Sequence, residues 1–255
     1  MNYKALFKAA MLAGEIMSQS GAETYRVEDT MIRILKSSGL ASVEVYATTT
    51  GIVASLSDAS IETITGVKRI ANRANNLSRI NDVNQISRNI CDGYMQPEEA
   101  ILRLEEIRNS RIYSELVVAI ATIISMAGFV GLFGGTLMDC VIAMINGIFI
   151  ILIGKLSDNR VGSAFILDAA KSFVLAFLTM VFSRHFADTN RNLIIIGSIM
   201  PLVPGIPITN AIRDTLQGDY NSGTSRAVEA FVISLGIAVG VGLGMGVYNF
   251  TERIF

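Results

Sequence analysis

Residues Asn192–Glu229 read NLIIIGSIMPLVPGIPITNAIRDTLQGDYNSGTSRAVE, and this stretch decides the fold. It opens as a membrane-spanning helix, almost purely apolar from Leu193 to Ile196. It then meets Pro201, Pro204 and Pro207 three residues apart, with Gly205 beside the middle one. Each proline lacks a backbone donor and clashes with the turn before it, so an ordinary helix is not expected to continue. A broken helix at membrane depth is tolerated only where it is buried in protein or lines a wet cavity. Broken spans near the bilayer midplane are also where secondary transporters build substrate sites. Pro201, Pro204, Gly205 and Pro207 are therefore candidates for a substrate or ion pathway.

Charge is spread unevenly around this stretch. Residues 1–112 hold 13 Lys/Arg and 13 Asp/Glu, a water-facing balance, while the longer segment 113–255 holds only 8 and 9. The expectation is an α-helical membrane protein with five transmembrane helices over 113–255, preceded by a small cytoplasmic α+β domain over 1–112. A net charge of −1 gives no reason to expect nucleic-acid binding. Cys91 and Cys140 lie in different halves and His185 is the only histidine, so no metal and no cofactor are expected. Lys4 and Lys8 look like the start of a signal peptide, but Glu15 interrupts the apolar run that would have to follow. Leu6, Ala10, Ala13 and Met17 share one face, which predicts an amphipathic helix instead.

A second helix is predicted from Ser20-Gly21-Ala22-Glu23, which has the form of a capping box, with Val27, Met31 and Ile34 as its apolar face and Gly39 as its stop. The period then changes to two. Val43, Val45 and Ala47 alternate with polar neighbours, and Ile52–Ser57 and Ile61–Val67 read as two more strands. Leu77, Ile80, Val83, Ile86 and Ile90 return to helical spacing, closed by Cys91-Asp92-Gly93. A last helix opens at Gln96-Pro97-Glu98-Glu99. Two features invite chemistry. Glu23, Arg26 and Glu28, with Asp29, form either a cap and solvated helix face or a functional motif. Thr48-Thr49-Thr50-Gly51 is a hydroxyl run at a strand end, with no histidine in this half to activate it.

The spans are expected near 116–137, 138–154, 163–183, 192–209 and 227–250. Asn146 lies mid-span in the second. Asp168 and Lys171, three apart on one face of the third, are either a self-neutralising pair or part of an ion or substrate path. Asp139, near a helix end, is expected at the interface. Asn210, Arg213, Asp214, Gly223 and Arg226 form a polar re-entry, which either gates the path, binds an anion or anchors the chain. Gly236, Gly240 and Gly244, with Gly242 and Gly246, let a neighbouring helix approach closely or let this one flex. Arg103, Arg108, Arg111, Lys155, Arg160, Arg213 and Arg226 outnumber Arg184, Arg191 and Arg253 on the other side, which predicts a cytoplasmic N-terminal domain and an external Phe255. Gly154-Lys155 lacks the rest of a nucleotide-binding loop, so ATP hydrolysis is not expected.

Met200-Pro-Leu-Val-Pro-Gly-Ile-Pro with Asn210, Asp214, Gly223 and Arg226 resembles the threonine/serine exporter family, as does Ser20-Gly-Ala-Glu-Thr-Tyr-Arg-Val-Glu28. The resemblance implies a cytoplasmic N-terminal domain before two sets of spans, and secondary, proton-linked efflux of a small hydrophilic metabolite. With a single set of spans, the chain is similar to the large subunit of the split form. There a small membrane protein supplies the remaining spans, and one such pair has been assigned succinate export. The implied function is a non-enzymatic exporter of threonine/serine or a dicarboxylate in the cell (inner) membrane, working as an oligomer with a small membrane subunit. Two alternatives stay open: a membrane-anchored enzyme acting through the N-terminal domain, and a regulatory subunit of a partner channel.

Overall fold

The computed structural model describes residues 2–71, 73–110, 113–157, 164–186 and 188–254. Arg111, Arg160 and Phe255 of the orientation argument, and Ser163 at the expected start of the third span, lie outside the described residues. The chain divides into two compact units. One is Met1–Arg111 with Gly205–Val228, and the other is Ile112–Pro204 with Glu229–Phe255.

The first unit is built on helix α1 (Tyr3–Gln19), which starts where Asn2 Oδ1 accepts the Ala5 N–H at 3.1 Å. Leu6, Ala10, Ala13 and Met17 are all buried, as their spacing predicts. Helix α2 (Thr24–Lys36) buries Val27, Met31 and Ile34 against it. The capping box does not form. Ser20 caps the end of α1, and α2 begins four residues later with Glu23 at its N-cap and no side-chain cap bond from that residue.

Strands β1 (Ser42–Ala47), β2 (Gly51–Asp58) and β3 (Ile61–Arg69) form an antiparallel meander in that order. Val45 faces Ala54 and Val53 faces Val67 across the ladder. Ile52, Ala54 and Leu56 turn inward while Val53 is exposed, the alternation expected of a sheet with one buried face. Helices α3 (Leu77–Cys91) and α4 (Pro97–Asn109) complete the core with Ile80, Val83, Ile86, Ile90, Ala100 and Leu104. Leu77 departs from the predicted face. It is the first helical residue, beside the Asn76 cap, and is 68% exposed.

The second unit holds α5 (Glu115–Leu132), α6 (Leu137–Ser157), α7 (Ala164–His185) and α8 (Arg191–Ile199). α5 stops before Gly134, whose φ of +88° is left-handed and glycine-tolerant, so the first crossing is shorter than the spacing predicts. α6 runs through Lys155, past the expected end of the second span at 154. A single 3₁₀ turn, Met200–Leu202, follows α8, and Val203 is extended before α9 (Gly205–Leu216) begins. Pro201 and Pro204 therefore break the helix as expected. Pro207 does not. It sits in the first turn of α9, where its missing N–H would have had no helical partner.

Helix α10 (Tyr220–Ile254) is 35 residues long, about 52 Å at 1.5 Å per residue, and Gly223 and Arg226 belong to its first turns rather than to a loop. Among the described residues four helices are long and apolar enough to cross a membrane, and the count reaches five if Arg191–Leu202 with Gly205–Leu216 is one broken crossing.

Gly236, Gly240 and Gly244 lie along α7. A Cβ on Gly240 would stand 2.2 Å from the Ala169 carbonyl, and one on Gly244 2.5 Å from that of Phe173. Gly242 and Gly246 have nothing within 4 Å of that position. The first set permits backbone contact, and the second does not take part in it. Gly240→Ala should therefore cost about 1–3 kcal/mol by overpacking. Gly242→Ala should stay within about 0.5 kcal/mol. Thermal unfolding of the detergent-purified variants checks this, and equal midpoints would contradict the packing.

Candidate functional site

In the first unit, segments nearly two hundred residues apart close on one another. The first backbone N–H of α2, at Thr24, has no partner within its own helix. Asp214 Oδ1 accepts it at 3.0 Å, and the Thr24 hydroxyl donates to Asp214 Oδ2 at 3.3 Å. A carboxylate there also meets the positive end of the helix. Arg226 Nε stands 2.9 Å from Asp214 Oδ2, an ion-pair distance without the alignment of a hydrogen bond, and an Arg226 terminal nitrogen donates to the Ala22 carbonyl at 2.7 Å. Asn210 Nδ2 donates to the Gly21 carbonyl at 2.8 Å. Arg213 pairs with Glu23, which also holds Arg26 at 3.3 Å.

These groups are mostly dry. Asp214, Arg226, Asn210 and Glu23 are buried, while Arg213 and Arg26 are half-exposed. Gly223 lets α10 start against α9, since a Cβ there would stand 2.2 Å from Thr215 Oγ1. Burial pushes the Glu23 carboxyl up, but its own backbone amide, Arg213 and Arg26 outweigh that and leave it below its ordinary value. Glu28 goes the other way. Burial raises it, the Ala47 N–H at 2.8 Å opposes this, and the charges of Asp219 and Asp214 add to the rise. In the threonine run, Thr48 Oγ1 closes a turn on Gly51 while buried Thr49 donates to Ser225 Oγ at 3.2 Å.

In the second unit the polar groups are arranged differently. Asp168, Ser172, Thr179 and Ser183 follow one another at spacings of four, seven and four, which places them on one face of α7 over about 22 Å of helix. Ser172, Thr179 and Ser183 are buried, and the hydroxyls of Ser172 and Ser183 have no hydrogen-bond partner among the described residues. Asn146 on α6 is fully buried and donates from Nδ2 to Thr179 Oγ1 at 2.9 Å. Ser198 on α8 is also fully buried and unpartnered among the described residues. Lys171 stands beside Asp168, close enough for their charges to interact, and its stem passes Gly154 of α6. Asp139, in the first turn of α6, is buried. It accepts from the Thr136 and Asn190 backbone N–H groups at 2.9 Å each, capping α6 and fixing the turn before α8.

The sequence-selected residues thus fall into two sets. Glu23, Arg26, Glu28, Gly205, Pro207, Asn210, Asp214 and Arg226 belong to the first unit, and Asn146, Asp168, Lys171, Pro201 and Pro204 to the second. The hydroxyl stripe of α7 and Ser198 escaped the sequence reading, although the stripe's spacing from Asp168 is written in the chain. Nothing in the sequence marks the Thr24–Asp214 cap. Among the described residues no group of three or more His, Cys, Asp or Glu is placed to hold a metal ion.

Apolar helices of membrane-crossing length and a proline-broken segment define a membrane protein in outline. The family model described as "Putative threonine/serine exporter" matches residues 8–248, and the chain belongs to that family. It is 24% identical to the "Probable threonine/serine exporter" of Mycobacterium tuberculosis over 89% of its own length, but spans only 43% of that relative. It is also 24% identical to the "Probable succinate transporter subunit YjjP" of Klebsiella aerogenes and to that of Escherichia coli, covering 92% of each and 93% of itself. No solved structure matches the chain.

Two outcomes follow for the first unit. Asp214→Ala leaves Arg226 buried without its counter-charge, which should cost about 3–5 kcal/mol. Adding Arg226→Met should recover part of that loss, and strictly additive losses in thermal unfolding would contradict the pairing. Glu28→Gln keeps an oxygen for the Ala47 N–H and removes a charge that folding opposes. The folded carboxyl holds its proton above the ordinary value of 4.5, so wild-type stability falls as pH rises through and beyond that value. The variant should lose this slope and gain stability at pH 7 relative to wild type. An unchanged slope would contradict it.

Proposed function

We propose that the chain is one subunit of a secondary exporter of a small hydrophilic metabolite, and that export is coupled to protons. It crosses the membrane five times, with the Pro201–Pro204 break in the fourth crossing. The N-terminal α+β domain faces the cytoplasm and the C-terminus lies outside. A smaller membrane protein supplies the rest of the pathway. The near-complete coverage of relatives named as transporter subunits supports the split arrangement, as does the partial coverage of the longer exporter. The excess of Lys/Arg flanking one side supports the orientation.

The observation that carries the reading is the polar file of α7. Buried hydroxyls without partners are expensive in an apolar bundle, and Ser172 and Ser183, unpartnered among the described residues, share with Thr179 the face that begins at the ionisable Asp168, which has the chemistry of a pathway. Asp168 carries the coupling proton, and Lys171 tunes it or meets the substrate. The substrate carboxylate is drawn to the break at Pro201–Pro204. Arg213 and Arg226 are engaged by Glu23 and Asp214, so they hold the first unit together rather than bind the anion. Asp168→Asn should abolish the pH dependence of serine or succinate counterflow in membrane vesicles. Wild-type rates with wild-type pH dependence would remove Asp168 from the coupling role.

A further inference from the structure

The two faces of the three-stranded sheet differ in character. Toward the core, Phe7 of α1 packs at Gly66, and Ile52, Ala54 and Leu56 are buried. On the other face Tyr46, Val53 and Val67 are exposed, Val67 by 74%. The register sets them side by side, Tyr46 opposite Val53 and Val53 opposite Val67, as one apolar row across all three strands. A solvated sheet face ordinarily carries polar residues at these positions. The neighbouring row of Glu44, Ser55 and Thr65 obeys that rule, with the Ser55 and Thr65 hydroxyls 3.2 Å apart.

Adjacent aromatic and β-branched residues strengthen a sheet from within, but that gain needs no charges around them. Here two charges flank the row. Glu44 stands two residues before Tyr46 on β1, and Arg69 two residues after Val67 on β3, so both share the face of the row. β1 and β3 each run antiparallel to β2 and therefore point the same way. The acid and the base fall at diagonally opposite corners, about 10 Å apart across the strands and about 13 Å along them, too far to pair with each other. Both are exposed, and neither side chain has an ion-pair partner among the described residues. Val53 lies midway between them. Such a face is complementary to itself. A two-fold axis through Val53, in the plane of contact along the other diagonal, carries each acid onto the base of a second copy. It also lays the two apolar rows across one another, with the strands crossing steeply as in orthogonal sheet packing.

We propose that this sheet face docks a second copy of the chain, in a symmetric pair held by Tyr46, Val53 and Val67 and by two Glu44–Arg69 contacts. The face is small, so the pairing belongs to the weak class and depends on the two copies sharing one membrane.

The test is made in native membranes on the full-length chain with Cys91 and Cys140 replaced. Val53→Cys, treated with a short membrane-permeant bismaleimide, should link chain to chain at twice the chain mass, because the axis sets that position against its own copy. Tyr94→Cys, which is more exposed but lies outside the sheet, should not. On the Val53→Cys background, Glu44→Arg or Arg69→Glu brings like charges together at both contacts. Each should weaken pairing about tenfold, read as loss of linked protein. Combining the two reversals in one chain should recover the link. So should co-expressing the two single variants, which restores opposite charges only between copies. Glu44, Val53 and Arg69 are exposed, so these variants should fold like the wild type. Absence of the Val53→Cys link overturns the proposal, as does a link that survives the single reversals or is not recovered by the double one. A Val53→Cys product with a different protein overturns it too, and gives the face to that partner.

Discussion

A polar atom taken out of water must be given a partner by the protein, and this chain meets that demand in two different ways. In the first unit the buried charges are closed on one another. The Asp214 carboxylate has no exposed surface, yet it takes the orphan amide of α2, the Thr24 hydroxyl and the Arg226 guanidinium at once. Arg226 then spends a terminal donor on the Ala22 carbonyl. Breaking either partner strands the other, which is why a cluster built from such groups specifies one arrangement of α2, α9 and the start of α10.

The second unit holds further buried polar atoms without partners among the described residues, as the Ser20 and Ser222 hydroxyls are in the first. Asn146 Oδ1 and the hydroxyls of Ser172, Ser183 and Ser198 are buried where apolar side chains would have packed at lower cost. A structural polar network is usually satisfied throughout, because a half-satisfied one is worse than none. The ionic cluster holds α2, α9 and the start of α10 together, and the proposed passage follows α7. The glycines of α10 bring its backbone against Ala169, Ser172 and Phe173, so α7 is packed closely along that side.

Much of this architecture was legible from periodicity. The strands and the apolar faces of α1, α2 and α3 fall where alternation and helical spacing put them, apart from Leu77. The errors share a cause, which is that local patterns cannot see distant partners. Ser20 and Glu23 have the spacing of a capping box, but Glu23 is claimed by Arg213, and the Ser20 amide it was to serve donates to the Ile16 and Met17 carbonyls at the end of α1. Pro207 looks like a third break beside Pro201 and Pro204, and only its position in the first turn of α9 makes it harmless. Ser172, Thr179 and Ser183 repeat the phase of Asp168, so the file itself was readable. Their burial was not, since serine and threonine are ordinary residues on exposed helix faces too.

The central claim is that the α7 file forms a water-accessible passage rather than a dry seam. Cysteines placed singly at Ser172, Thr179 and Ser198, in protein with Cys91 and Cys140 replaced, measure this directly with a membrane-impermeant polar thiol reagent. The account expects these sites to react in transporting protein and to react more slowly when substrate is present. Inertness at all three positions, in protein that still transports, would contradict it.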